Sequence, residues 1–264
     1  MQKTIVRNYR VECSPPRQKV ERLKERLEKF SLRFNLAEAH NLGTCITDNA
    51  MGHLAFQGTE LLTELKLPAK RTMIHLNTFH SLNDLHWILD NCLALEVKEL
   101  LIISGDGSPR LPRLKPSEIG SDKAAVTSVE LVAYIVKFYP GKFKIGVAFN
   151  QYEPHDHELL KLKQKIDVGA EFIITQPVLG SHPEIDAILE WLTIPVIIEV
   201  WMSPKLELLK DCIGYNPTAN LTKPFNPIEC LNETERNYPD CNLYLALLDF
   251  DKQLPLLNSG VTQS

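Results

Sequence analysis

Short apolar runs of strand length alternate with helical patterns along the chain, and this alternation constrains the fold more than any other feature. Eight runs rich in apolar or β-branched residues fall at 4–12, 44–47, 72–77, 99–104, 143–149, 171–176, 195–201 and 242–249. Apolar stripes with helical spacing lie between them at 20–30, 82–93, 129–136, 159–166, 185–192 and 206–213. Strands that alternate with helices form parallel sheets whose faces the helices cover. With eight predicted strands and helices between them, the sequence predicts an α/β fold, a (β/α)8 or TIM barrel.

The length of the chain agrees with one barrel and no further domain. The chain has 264 residues, and roughly 250 residues are typical of such a barrel. We therefore expect a single domain over residues 1–264. The segment 216–241 contains four prolines and little periodicity, which predicts an irregular C-terminal loop excursion before the eighth strand.

Charge and composition exclude several classes of function. The formal net charge is −4 and the sequence has no basic run, so we expect no nucleic-acid partner. Residues 1–12 lack the apolar core of a secretory signal, and no apolar stretch is long enough to span a bilayer. The six cysteines form no Cys-x-x-Cys pair, so no metal site is predicted. These features together favour a cytoplasmic protein without a membrane partner.

Polar side chains gather where the predicted strands end. In a barrel of this kind, the active site lies at the carboxyl ends of the strands and in the loops that follow them. The residues at these ends are Glu12, Thr47 to Asn49, His75 to Asn77, Gly105 and Asp106, Asn150 and Gln151, Gln176, Glu199 and Trp201, and Asp249 and Asp251. Polar residues at a strand end also cap the following helix, but their recurrence on one face favours an active site.

Four of these strand ends carry motifs of a known family. The block Glu12-Cys13-Ser14-Pro15-Pro16-Arg17 resembles the Glu-Phe-Phe-Pro-Pro-Lys/Arg opening of the methylenetetrahydrofolate reductases. The segment His75-Leu76-Asn77 resembles their Pro-His-Leu-Thr strand, and Gly105-Asp106 resembles their Arg-Gly-Asp. The block 165–176 resembles their Lys-x-Asp-Ala-Gly-Ala…Ile-Thr-Gln, with the aspartate, the glycine and Thr-Gln at the expected spacing. The resemblance runs from about Val11 to Trp201.

The resemblance implies an oxidoreductase of one-carbon metabolism. Members of this family pass a hydride from NAD(P)H, through a bound FAD, to 5,10-methylenetetrahydrofolate and so form 5-methyltetrahydrofolate. The five-membered ring of that folate opens only when its leaving nitrogen is protonated. Glu12 matches the position of the general acid, since a carboxyl group in an apolar niche keeps its proton towards neutral pH.

The resemblance also assigns the other site residues. Asp106 matches a carboxylate near the flavin and the pterin, where its charge would stabilise a developing cation, so it is both a catalytic and a binding candidate. Gln176 would hydrogen-bond an edge of the pterin. The residues that match flavin contacts are Thr47, His75, Asp106, Phe149, His155 and Lys165.

Several departures from the family pattern leave alternatives open. Ser104 stands where the family has arginine before Gly-Asp, and Phe149 stands where a tyrosine is common. Fewer cations would weaken the binding of the flavin diphosphate. One alternative is therefore a flavin-free folate enzyme. Another is a non-catalytic folate-binding accessory subunit, in which a homo-oligomer or a partner subunit completes the short C-terminal end.

Overall fold

The predicted barrel is confirmed. The structure is a computed structural model, and it describes residues 8–214 and 224–257. Eight parallel strands follow one another around a closed barrel in the order of the sequence. They are β1 (Tyr9–Cys13), β2 (Gly43–Ile46), β3 (Thr72–Leu76), β4 (Glu99–Ile102), β5 (Lys144–Phe149), β6 (Phe172–Thr175), β7 (Val196–Trp201) and β8 (Asn242–Ala246). Each predicted run contains one of these strands or overlaps it closely, and the part of the first run before residue 8 lies outside the described residues.

Helices connect successive strands. The described helices are α1 (Leu23–Ala39), α2 (Gly58–Glu64), α3 (Leu82–Ala94), α4 (Ser128–Phe138), α5 (His155–Asp167), α6 (Pro183–Leu189), α7 (Leu206–Ile213), α8 (Pro227–Asn237) and α9 (Leu254–Leu257). Ser81 caps the start of α3, because its hydroxyl accepts a hydrogen bond from the Asp84 N–H at 3.1 Å. Three of these helices, α2, α8 and α9, were not expected.

The expectation of an irregular segment over 216–241 is wrong for Pro227–Asn237, because these residues form the helix α8. The side chain of Asn226 caps this helix by accepting from the backbone N–H groups of Ile228 and Glu229. Pro227 follows at the first helical position, where its fixed φ favours the helix. Within α8, the side chains of Cys230 and Leu231 are buried against the rest of the protein. This packing stabilises a helix whose sequence is mostly polar. Residues 215–223 lie outside the described part of the chain.

The chain divides into two compact units. Unit 1 consists of Met1–Glu12, Phe149–Glu158 and Ile173–Ser264, and unit 2 consists of Cys13–Ala148 and Leu159–Phe172. The expectation of one domain over residues 1–264 stays a prediction. The site residues are divided between the two units, and each group is described within its own unit.

The register of unit 1 determines which side chains share a face. Tyr9 pairs with Leu243 and Val11 with Leu245, while Glu199 pairs with Tyr244 and Trp201 with Ala246. The hydroxyl of Tyr9 bonds to Glu235 on α8, so alternate residues of β1 from Tyr9 onward face this helix. Because side chains alternate along a strand, the face turned away from α8 carries Arg10, Glu12, Tyr244, Ala246, Glu199 and Trp201.

In unit 2 the strands from β2 to β5 pair through parallel ladders. Close packing on β5 requires a glycine at position 146, because a larger residue would overlap the ring of Phe172. A Cβ atom at this position would lie 2.7 Å from Cδ2 of Phe172 and closer still to two other ring atoms. Phe172 is 1% exposed, so its ring has little room to move.

Neither a membrane-spanning helix nor a metal-binding cluster is found among the described residues. Among the helices in residues 8–214 and 224–257, none is long and apolar enough to cross a membrane. Within the same ranges, no group of three His, Cys, Asp or Glu side chains is arranged to hold a metal ion.

Candidate active site

A pair of carboxyl groups marks the site in unit 1. Glu12 near the end of β1 and Glu199 on β7 share the face turned away from α8. Burial raises the pKa of Glu199 well above its ordinary value, and the negative charge of Glu12 raises this pKa further. Two carboxyl groups so placed do not both ionise readily. The pair therefore retains a proton at a pH where an isolated glutamate has lost it.

Trp201 lies two residues beyond Glu199 on the same face. Its side chain is 3% exposed, and its indole Nε1–H has no hydrogen-bond partner among the described residues. Ala246 lies beside it on β8. The register that pairs Val11 with Leu245 places Glu12 on the other side of Ala246. A small side chain therefore separates an acid from an unused donor.

Gln176 is held through its backbone and leaves its side chain half-buried. Its N–H donates to the carbonyl of Phe149 and to the side-chain oxygen of Gln151, each at 3.0 Å. The side-chain N–H2 of Gln151 donates back to the Gln176 carbonyl at 2.7 Å. The buried amide of Gln151 therefore fixes the position where β6 ends. The sequence placed Gln151 at a strand end but gave it no role.

Phe149 and His155 were both expected to contact a cofactor, but they differ in exposure to solvent. Phe149 is 2% exposed, so its ring belongs to the core. His155 begins α5 at the surface, and its Nδ1 bonds to a carboxylate oxygen of Glu184 on α6. The N-terminal ends of two helices are joined by this contact, which gives His155 a structural role.

A buried carboxylate organises the strand ends of unit 2. Asp48 is 5% exposed, and its Oδ2 lies 2.6 Å from Nε2 of His80 and accepts the N–H of Asn77 at 2.9 Å. The side chain of Asn77 donates to the Asp48 carbonyl at 2.9 Å, and that of Asn49 donates to Asp48 Oδ1 at 3.1 Å. This network fixes the loops after β2 and β3 against each other. Sequence reasoning missed His80 because it lies beyond the strand end.

Thr47 and His75, both assigned to the flavin by the resemblance, flank this network. The Thr47 hydroxyl is buried and has no hydrogen-bond partner among the described residues. Burial lowers the pKa of His75 to about 4, although the charge of Asp48 acts in the opposite direction. His75 is therefore neutral at physiological pH. The neutral imidazole of His75 and the unused hydroxyl of Thr47 together fit the uncharged polar edge of a ligand ring.

Asp106 is exposed on the loop after β4. Its Oδ2 accepts the backbone N–H of Met51 at 3.0 Å, which joins the loops after β2 and β4. The preceding Gly105 has a φ of +81°, and a Cβ atom there would lie 2.7 Å from the Cβ of Asn77. Glycine at position 105 therefore allows the Asp106 loop to approach Asn77 closely.

Lys165 does not present its charge at a surface. It is 6% exposed, and its ammonium donates to the carbonyl of Ala148 on β5 at 2.7 Å. A diphosphate is bound by cations that are turned towards it. Both basic side chains that the resemblance assigns to the cofactor, His155 and Lys165, instead contact the protein. Thr47 and His75 therefore fit the polar ring end of a flavin, whereas the contacts of these two basic side chains do not fit its diphosphate.

Comparisons with known proteins agree with the fold and name one family. The family model described as methylenetetrahydrofolate reductase matches residues 2–187. A solved structure from Clostridium thermocellum, described as an uncharacterized protein that binds two copies of 5-methyl-5,6,7,8-tetrahydrofolic acid, is similar with a TM-score of 0.58. It is 12% identical, and the match covers 90% of this chain and 88% of that chain. A phosphonopyruvate hydrolase in complex with oxalate and Mg²⁺ is 10% identical with a TM-score of 0.52, over 96% of this chain and 79% of that chain. At these identities the two structures show a shared fold alone.

Proposed function

The chain belongs to the methylenetetrahydrofolate reductase family, and we propose that it binds a reduced folate and transfers a hydride to it. The proposed reaction converts 5,10-methylenetetrahydrofolate and NAD(P)H, with one proton, into 5-methyltetrahydrofolate and NAD(P)⁺. Family membership and the folate bound by the Clostridium thermocellum protein support this choice of substrate.

The observation that carries the proposal is the carboxyl pair of Glu12 and Glu199. The reaction needs a proton donor that is still protonated near neutral pH, and an ordinary glutamate is ionised there. Burial and the charge of Glu12 raise the pKa of Glu199, so the pair retains a proton at a pH where an isolated glutamate has lost it. Glu12 also stands at the position where the family motif has its acid.

The proton from this pair starts the reaction. In our proposal, the carboxyl group of Glu12 donates it to N10 of the bound folate. The bond between N10 and the bridging carbon then breaks, and its electron pair stays on N10. A cationic N5=CH2 iminium results, and its carbon accepts the hydride to become the N5 methyl group. The carboxylate left on Glu12 stabilises the iminium cation in the meantime.

The resemblance supports Asp106 and Gln176 as substrate-binding candidates, and each is considered within its own unit. Asp106 is exposed and held at the Met51 N–H, so a carboxylate oxygen remains available to a ligand. Gln176 has its backbone fixed by Gln151, which leaves its side-chain amide to bind both a donor and an acceptor on a pterin edge.

The route of the hydride is a separate part of the proposal. A flavin, when bound, would carry the hydride between the nicotinamide and the folate. Lys165 and His155 contact the protein rather than face a diphosphate. This observation favours the second candidate, a flavin-free enzyme in which NAD(P)H reduces the folate directly. The visible absorption spectrum of the purified protein, before and after incubation with FAD, distinguishes the two routes.

The substitution Glu12→Gln tests the proposed acid. Glutamine keeps the size of the side chain but cannot donate the proton, so turnover should fall by about 10²-fold or more. Binding of 5-methyltetrahydrofolate should stay within a few-fold of the wild-type value, because that ligand needs no proton transfer. Glu21→Gln, at an exposed position, is the matched control and should leave turnover unchanged. Near-normal turnover of the Glu12 variant would contradict the assignment, and folate binding without NAD(P)H oxidation by the wild type would instead indicate a folate-binding protein.

A further inference from the structure

Trp201 offers a hydrogen-bond donor that the described protein does not use. Its side chain is 3% exposed, yet Nε1–H has no acceptor among residues 8–214 and 224–257. Buried indole N–H groups usually have a partner, because an unsatisfied buried donor is costly. A donor of this kind at the carboxyl end of a barrel strand is placed where a ligand can supply the acceptor.

The strand register places two residues in a row beside Trp201. Trp201 pairs with Ala246, and the register one step beyond Val11 and Leu245 places Glu12 on the far side of that alanine. Ala246 has only a methyl side chain, so no large side chain of β8 stands between the indole and the carboxyl group in this row. The three residues therefore follow one another across the face, with a donor on one side of Ala246 and an acid on the other.

The charges on this face restrict what the indole could bind. Glu12 and Glu199 are negatively charged when ionised, so they repel a phosphate or a carboxylate. A neutral acceptor such as a ring carbonyl oxygen meets no such penalty. In methylenetetrahydrofolate the C4 carbonyl is attached to the same ring carbon as N5, at the end of the pterin where the proposed reaction takes place.

We propose that the indole N–H of Trp201 donates to the C4 carbonyl oxygen of the bound pterin and so positions N5 and its bridging carbon beside Glu12. Trp201 is then a positioning and specificity-determining residue that selects 4-oxo over 4-amino pterins. This inference rests on the proposed function, since it assumes a reduced folate in this site.

Two ligands that differ only at C4 test the inference. The dissociation constants of 5-methyltetrahydrofolate and of its 4-amino-4-deoxy analogue are measured by calorimetry for the wild type, Trp201→Phe and Trp87→Phe. A 4-amino group turns N–H bonds towards the indole N–H, so the wild type should prefer the 4-oxo ligand by roughly ten-fold. Trp201→Phe should bring this ratio close to one, because phenylalanine has no donor. Trp87 is 48% exposed, so Trp87→Phe should keep the wild-type ratio.

The ratio of the two dissociation constants separates the loss of the hydrogen bond from the change in side-chain shape at position 201. A smaller aromatic ring affects both ligands alike, and the different basicities of the ligands in water are the same for every variant. A wild type without a preference would overturn the inference, and so would a Trp201→Phe variant that keeps the full ratio. A wild type that binds neither ligand would instead refute the proposed function, on which the inference depends.

A second measurement needs no substitution at position 201. The chain has three tryptophans, so a ¹H–¹⁵N spectrum should contain three indole N–H signals. Trp87→Phe and Trp191→Phe identify two of them and leave the signal of Trp201. The 4-oxo ligand should move this signal downfield as the hydrogen bond forms, and the 4-amino ligand should not. An identical shift with both ligands would contradict the inference.

Discussion

His75 should make the protein sensitive to mild acid, and the substitution His75→Gln should remove much of this sensitivity. Burial lowers the pKa of His75 from 6.5 to about 4, so the folded protein holds a neutral imidazole. The unfolded chain has an exposed imidazole that binds a proton below its ordinary pKa. The stabilising effect of the neutral imidazole is therefore complete above pH 6.5 and is lost as the pH falls towards 4.

The size of the effect follows from the two pKa values. The full difference corresponds to about 3 kcal/mol once the pH is below both values. Between pH 7 and pH 5, the linkage relation gives a loss of about 2 kcal/mol in the free energy of unfolding. The His75 side chain is 7% exposed, so solvent screening reduces this loss of free energy only slightly. Glutamine, which does not titrate, should lose about 2 kcal/mol less than histidine over the same interval.

Urea denaturation at pH 7, 6 and 5 measures the effect directly. Wild type, His75→Gln and the exposed-site control His53→Gln are compared at each pH, with two-state behaviour checked by coincident fluorescence and circular dichroism transitions. The control should follow the wild type closely. If His75→Gln and the wild type lose the same stability between pH 7 and pH 5, then the imidazole of His75 is not held neutral by burial.

Two other substitutions test the packing and the carboxyl pair. Gly146→Ala should destabilise the protein by about 1–3 kcal/mol, because the added methyl group would overlap the buried ring of Phe172; urea denaturation at pH 7 that shows a loss below about 0.5 kcal/mol would contradict this packing. Glu199→Gln should gain stability relative to wild type as the pH rises above the ordinary glutamate pKa. The reason is that ionisation of Glu199 favours the unfolded chain above the ordinary glutamate pKa until the raised pKa of the folded state is reached. Thermal melts at several pH values check the sign, and a difference in melting temperature that does not change with pH would contradict it.

Strand periodicity made most of the fold predictable. The eight runs identified the strands because a barrel strand buried on both faces is continuously apolar. The helix α8 was missed because few of its residues are apolar. The sequence Asn226-Pro227 nevertheless carries both a capping residue and a proline at the first helical position, which could have indicated it.

The candidate site was only partly predictable. Glu12 was identified by its motif, but its proximity to Glu199 depends on how β7, β8 and β1 pair, and register between distant segments is not encoded in local sequence. The same limit applies to Lys165 and His155. A motif match assigns such residues to a ligand, whereas their contacts with Ala148 and Glu184 arise only from packing.

Transfer of a labelled hydride tests the central claim most directly. The purified protein is incubated with 5,10-methylenetetrahydrofolate and with NADH or NADPH carrying deuterium at the transferred position, and the folates are analysed by mass spectrometry. The proposed function predicts 5-methyltetrahydrofolate with one deuterium in its N5 methyl group, formed by the wild type about 10²-fold faster than by Glu12→Gln. If the wild type binds the folate but forms no deuterated product with either nucleotide, the chain is not a reductase of this substrate.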